Sequence, residues 1–211
     1  MDPTQINHSD EPIRLFKSDF MEFFTHITPL AVVILWLPIT IFFFIQGILI
    51  LPDTVSIWVA PAGFFFGLFF WTLAEYLLHR FVFHYKPRTP TQEKIFYLFH
   101  GIHHHQPQCK TRLVMPPVVS IPMASVFFGL FYLLFGVVLG VPYWAGFIIS
   151  GFLIGYLAYD ITHYATHHWS MRNGIWKMLK RHHMRHHYKT PNQRFGVSSP
   201  LWDFVFGTRG E

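Results

Sequence analysis

Histidine is the residue type whose number and placement could do chemistry in this chain. Fifteen His stand against sixteen Lys and Arg together, and thirteen of the fifteen fall between residues 79 and 187. They form four groups: His79 and His84 (HxxxxH), His100, His103 and His104 (HxxHH), His163 and His167 (HxxxH), and His183, His186 and His187 (HxxHH). Neutral imidazole binds Zn, Cu, Fe and Ni without adding charge. Residues three and four apart share a helix face, so each HxxHH and the HxxxH present their rings together. His79 and His84 are five apart, about 140° around an α-helix. They need a bend, or they reach a metal from different sides. Ten imidazoles gathered this way leave room for two metal ions with about five nitrogens each. His105, His168 and His182 adjoin the groups but lie outside the phased sets, and His8 and His26 stand alone. All five are read as packing or surface residues.

Metal centres bound only by nitrogen keep their full positive charge, which nearby carboxylates offset. Glu75 lies four residues before His79, and Asp160 three before His163. Each is placed to orient a ligating ring through its second nitrogen. Tyr159, Tyr164 and Tyr188 adjoin the candidate ligands, where they either hydrogen-bond substrate or anchor the chain at a membrane interface. Trp169, Trp176 and Trp202 have the same interfacial reading. Residues 170–188 mix Trp176, Met178 and Leu179 with Arg and Lys, the pattern of a helix lying on a membrane surface.

The elements that must carry these groups are apolar. Hydrophobic residues make up 52% of the 211 and charged residues only 13%, too few to cover a water-soluble surface. An aromatic content of 19% excludes disorder, and Cys109, the single cysteine, excludes an intrachain disulfide. Four stretches are long enough to cross a bilayer, at about 29–51, 55–78, 117–139 and 142–163. Short links at 52–54 and 140–142 pair them as two helical hairpins. The expected fold is therefore an all-α integral membrane protein. It has a segment 1–28, four transmembrane helices, and a histidine-rich di-metal cap built from 79–116 and 164–211. All sixteen Lys and Arg lie in 1–28, 79–116 and the tail, which the positive-inside rule places in the cytoplasm with both termini. That distribution accounts for the formal charge of +5 without nucleic acid. Gly63 and Gly67 in the second span, and Gly151 and Gly155 in the fourth, repeat a four-residue spacing. This marks either ordinary helix packing or close packing of these two spans on one another.

With these motifs in place, the chain resembles the fatty acid hydroxylase/sterol desaturase superfamily of membrane di-metal oxygenases, and within it the fatty acid 2-hydroxylases. The matching words are His79-Arg80-Phe81-Val82-Phe83-His84, His100-Gly101-Ile102-His103-His104 and Arg112-Leu113-Val114-Met115-Pro116-Pro117. They continue with Tyr159-Asp160-Ile161-Thr162-His163-Tyr164, His167-His168, His183-Met184-Arg185-His186-His187-Tyr188, and Gly196 through Thr208. The resemblance implies ten metal ligands: His79, His84, His100, His103, His104, His163, His167, His183, His186 and His187. It implies two irons, replaceable by zinc on isolation, and O2-dependent hydroxylation of a long acyl chain beside its carbonyl, with Tyr159 and Asp160 acting around the site. The resemblance covers roughly residues 60–211; with the first span included the domain is expected at 29–211, in the inner membrane if the chain is bacterial or the endoplasmic reticulum if it is eukaryotic. Eukaryotic relatives often carry a fused cytochrome b5 domain. The 28 residues before the first span cannot hold one, so a separate donor, a ferredoxin or cytochrome b5-like protein, is expected on the basic cap. The histidines alone leave open a sterol or carotenoid hydroxylase or desaturase. A metal transporter would need ionisable groups at the membrane midplane, which the spans lack.

Overall fold

The computed structural model describes residues 6–210, and all regular structure among them is helical. The α-helices are α1 (Asp19–Phe23), α2 (Pro29–Leu49), α3 (Val59–Leu77), α4 (Pro90–Phe96), α5 (Ile102–His105), α6 (Pro117–Phe131), α7 (Pro142–His168), α8 (Gly174–Tyr188) and α9 (Leu201–Val205). Three π-helical segments, Leu78–Phe83, Tyr97–Gly101 and Tyr132–Val138, extend α3, α4 and α6. Four stretches are long and apolar enough to span a membrane: Pro29–Leu49, Val59–Phe83, Pro117–Val138 and Pro142–His168. The chain is thus an all-helical, multi-pass membrane protein. The second and fourth stretches run five residues past the ends read from hydropathy, because the polar histidine words continue the same helices. The first link is longer than the expected 52–54, since α2 ends at Leu49 and α3 begins only at Val59.

The chain divides into two compact units. One comprises Leu30–Thr72 and Met115–Ala158, which hold α2, α6, the first part of α3 and most of α7. Lipid tails are as apolar as these side chains, so burial does not drive such helices together; close packing does. Glycine supplies it here. A Cβ on Gly67 would lie 1.9 Å from the Ile148 carbonyl oxygen, and one on Gly151 would lie 1.8 Å from that of Phe64. The four-residue glycine spacing is therefore the seam between α3 and α7, as the sharper of the two sequence readings has it. Residues 145–153 of α7 are all buried. Phe152 at the centre of this unit packs against the rings of Phe70, Trp71, Phe127 and Phe131.

The other unit comprises the described residues up to Pro29, Leu73–Val114, and the chain from Tyr159 onward. Every histidine group lies in it. Thr89 caps α4, its side chain accepting from Gln92 N at 3.3 Å, with Pro90 in the first turn. α8 starts at Gly174, whose φ of +56° favours a residue without a side chain. Its inner face buries Leu179, His182, His183, His186 and His187, while Ile175, Trp176 and Met178 face outward. This is the amphipathic helix expected over 170–188, starting four residues later.

Candidate metal centre

The local chain geometry aims the histidines. The π-helical turn Leu78–Phe83 replaces the bend that the HxxxxH spacing calls for. Its wider i→i+5 winding brings the His84 N–H to the His79 carbonyl at 3.0 Å. Both rings then face the same space, 4.9 Å apart. A second π-helical turn, Tyr97–Gly101, presents His100 at the entry to α5, which carries His103 and His104. α7 contributes His163 and His167, and α8 contributes His183, His186 and His187.

The ten rings meet as two groups of five. His79, His84, His100, His104 and His186 form the first; His103, His163, His167, His183 and His187 form the second. Within each group one nitrogen per ring lies within 4.8 Å of all the others. The sequence reading put each HxxHH on one face, and the structure divides it further. The i,i+4 pair His100/His104 joins the first group while His103 joins the second, and His183/His187 joins the second while His186 joins the first. Adjacent residues on one helix therefore join different groups. The His104 and His187 rings, one from each group, stack at 4.2 Å.

The spacing of the Nε2 atoms is informative. In the first group His79–His100 is 3.1 Å, and His100–His84, His100–His104 and His84–His186 are each 3.0 Å. In the second, His163–His103 and His167–His183 are 2.9 Å, and His103–His187 and His183–His187 are 3.0 Å. Two nitrogens bound about 2.1 Å from one metal lie about 3.0 Å apart at a 90° angle and about 3.4 Å apart at the tetrahedral angle. The observed separations of 2.9–3.1 Å are those of nitrogens close enough to share one ion. The donor set and its spacing thus fit a metal ion in each group. These are two histidine clusters able to bind metal ions.

Burial keeps the rings ready to bind. Outside the spans, His100, His103, His104, His183 and His187 are held well below the usual histidine range, first by burial and then by neighbouring imidazoles. His84 is shifted the same way for the same reasons, and burial brings His186 down to about 4. Near neutral pH these lone pairs are free of protons, as metal binding requires.

Backbone carbonyls orient several rings from behind. His79 Nδ1 donates to the Phe195 carbonyl at 2.5 Å and His186 Nδ1 to that of Gln193 at 2.6 Å, so one loop fixes two members of the first group. Between these carbonyls Arg194 takes φ = 64°, the left-handed region unusual for a residue with a side chain. Asp203, fully buried, holds the loop in this shape. It accepts from Phe195 N at 2.9 Å, Gly196 N at 2.8 Å, Thr208 Oγ1 at 2.7 Å and His182 Nε2 at 3.0 Å. Burial works against its charge, yet His182, Thr208 and the two backbone N–H groups hold it below the usual carboxylate range. Glu75, expected to orient His79 directly, grips the same loop instead. It accepts from Val197 N at 2.6 Å, Ser198 N at 2.8 Å and the Ser198 hydroxyl. In the second group His163 Nδ1 donates to the Leu113 carbonyl at 3.0 Å, the position the sequence reading gave to Asp160. Asp160 is buried and belongs to neither group, and Tyr159 lies nearly parallel to the His163 ring at 5.7 Å. His8, His26, His105, His168 and His182 also fall outside both groups. Asp203 and the carbonyls of Gln193, Phe195 and Leu113 escaped the sequence reading. Main-chain acceptors leave no residue-type signal, and the Trp202-Asp203 pair shows its role only once the loop closes.

A multi-pass helical protein with two adjacent, fully nitrogenous metal clusters in one compact unit defines a narrow class: membrane di-metal histidine enzymes. Comparison with known proteins places the chain within it. Residues 64–208 match the Fatty acid hydroxylase family, and the chain belongs to that family. It is 37% identical over 198 residues to the dihydroceramide fatty acyl 2-hydroxylase FAH1 of Arabidopsis thaliana, covering 92% of this chain and 79% of that one. It is 38% identical over 215 residues to the fatty acid 2-hydroxylase of Homo sapiens, covering 93% of this chain and 56% of that one. Among solved structures, the hydroxylase domain visible in full-length scs7p superposes with a TM-score of 0.83 at 34% identity. That match covers 94% of this chain and 72% of the other.

Proposed function

We propose that this protein hydroxylates carbon 2 of a long acyl chain, with two iron ions held by the ten clustered histidines. The observation that carries the reading is the pair of buried five-nitrogen groups, with neighbouring Nε2 atoms 2.9 Å apart at His163–His103 and 3.0 Å apart at His186–His84. The naming of relatives as fatty acid and dihydroceramide fatty acyl 2-hydroxylases supports the acyl substrate and the position of attack. The balanced reaction takes the CH2 beside the carbonyl, O2, two electrons and two protons to the CHOH product and water. Bound iron supplies the oxygen activation and cleavage of the C–H bond. His79, His84, His100, His104 and His186 hold one ion, and His103, His163, His167, His183 and His187 hold the other. The protein's part is to keep these rings neutral, fix their directions through the 193–195 and 113 carbonyls, and exclude water around them. Tyr159, on the His163 ring, and buried Asp160 act in this reading as positioning residues. The cap lies on the cytoplasmic face of the inner membrane or endoplasmic reticulum. A separate acidic donor, a ferredoxin or cytochrome b5-like protein, delivers the electrons. Its attraction is to a segment 79–116 with six Lys and Arg against one Glu, and to a tail with eight against two acidic residues.

The test is mass spectrometry of total fatty acids from cells expressing the chain or its His186→Ala variant under 18O2. The account expects 18O-labelled 2-hydroxy acyl chains from the first cells alone. A labelled hydroxyl at another carbon overturns the position. Absence of any labelled lipid from metal-loaded protein with a competent donor overturns the reaction.

A further inference from the structure

The segment before the first span is bound at two places along the loop 105–112, which runs from the end of the helix carrying His103 and His104 to the residue before Leu113. The first is Gln106, which follows His103 and His104 and is itself buried. Its Nε2 donates to the carbonyls of Ser9, at 3.1 Å, and of Glu11, while its Oε1 accepts from Ile13 N at 3.1 Å. Asn7 N adds a bond to the His105 carbonyl at 2.7 Å. The second is Arg112. It donates to the Ile13 carbonyl and to Glu22 Oε1, and the side chains of this ion pair are only 4% and 14% exposed. Glu22 Oε2 also accepts from Leu15 N at 2.9 Å and Phe16 N at 2.8 Å, which turns the segment back on itself. His26 Nδ1 lies 2.8 Å from Thr111 Oγ1, and Ile27 N donates to the Thr111 carbonyl at 2.9 Å. The loop from 105 to 112 is thus gripped along its length.

That loop leads directly to a metal group. Leu113, next to Arg112, is the residue whose carbonyl takes His163 Nδ1, and His163 Nε2 is 2.9 Å from His103 Nε2. The first group takes its direction from a different place, the 193–195 loop.

We propose that the Glu22–Arg112 pair is a positioning device for the second metal group alone: the N-terminal segment acts as a strap that sets His163 through the Leu113 carbonyl. The inference rests on reading the two groups as metal sites. Glu22 and Ile13 lie outside residues 64–208, the part that matches the family. The two metals consequently answer to different parts of the chain, one to the N-terminal strap and one to the C-terminal loop.

The test is equilibrium zinc binding to the purified, detergent-solubilised full chain. The unaltered protein binds two zinc ions. Glu22→Ala keeps one at unchanged affinity and binds the other about tenfold to a hundredfold more weakly, the usual effect of losing an outer partner. Arg112→Lys, which keeps the charge but loses the planar fork, does the same and serves if Glu22→Ala fails to fold. Asp10→Asn removes only the exposed Asp10–Lys110 pair and changes neither site. Assignment comes from combination. Added to His104→Ala, which leaves only the second group whole, Glu22→Ala weakens the remaining zinc. Added to His167→Ala, which leaves only the first, it does not. Equal weakening of both ions, weakening of the first group, or no weakening overturns the strap. If the unaltered chain takes up no zinc, the metal reading itself falls, so the two failures are distinct.

Discussion

Replacing Asp203 by Asn probes the C-terminal loop most sharply. The carboxylate accepts two hydrogen bonds on each oxygen: from Phe195 N and Thr208 Oγ1 on Oδ1, and from Gly196 N and His182 Nε2 on Oδ2. An amide is nearly the same size, but one of its ends is a donor. Whichever way it turns, its NH2 faces two donors in a site with no solvent exposure. Hydrogen bonds to charged groups are each worth about 1.5–3 kcal/mol. Losing two, with some relaxation of the loop, costs about 3–5 kcal/mol. The Phe195 and Gln193 carbonyls then drift from His79 and His186, and the first metal binds about tenfold to a hundredfold more weakly. Denaturant unfolding in detergent measures the first effect and zinc titration the second, with Asp53→Asn in an exposed loop as the reference expected within about 0.5 kcal/mol. A loss under about 1 kcal/mol with both zinc affinities unchanged refutes the reasoning.

Two further outcomes follow from the same structure. His84, His100, His103, His104, His183, His186 and His187 have folded-state pKa values lowered by burial. Below about pH 6.5 the unfolded chain binds protons that the folded one refuses, so stability is lost as pH falls. Unfolding of the metal-free protein between pH 7.5 and 5 should show this loss, approaching about 1.4 kcal/mol per pH unit for each histidine involved; a flat profile contradicts it. Gly151→Ala places a Cβ 1.8 Å from the Phe64 carbonyl oxygen, so α3 and α7 must separate. The melting temperature should fall by several degrees, whereas Gly129→Ala, with open space around it, should leave it nearly unchanged.

What the sequence makes legible here follows from periodicity. Hydropathy marks the four long helices. The three- and four-residue histidine spacings mark eight of the ten residues whose nitrogens converge, because helical phase is a local property, and His79 and His84 stand out as a fourth pair by proximity alone. The division of each HxxHH between two centres is not local. It depends on where a second helix brings its own rings, so His103 and His104 look equivalent until α7 and α8 are in place. The π-helical turn that aligns His79 with His84 has no residue signature, only a spacing that an α-helix does not satisfy. Glu75 stands out in the sequence as a carboxylate one turn before His79, yet it grips a loop more than a hundred residues away. The contribution of residues 6–28 was invisible for the same reason: Ile13 and Gln106 are 93 positions apart, and Glu22 and Arg112 are 90. Hydrogen bonds to main-chain carbonyls leave no trace in composition.

In the proposed function, the neighbouring histidines His103 and His104 on one short helix hold two different metal ions. Metal content of the purified chain, by inductively coupled plasma mass spectrometry after loading with iron or zinc, tests it directly. The account predicts two ions per chain, one after either His103→Ala or His104→Ala, and none after both. If the two substitutions remove the same ion, so that the double variant keeps as much metal as either single one, the two-centre account is wrong.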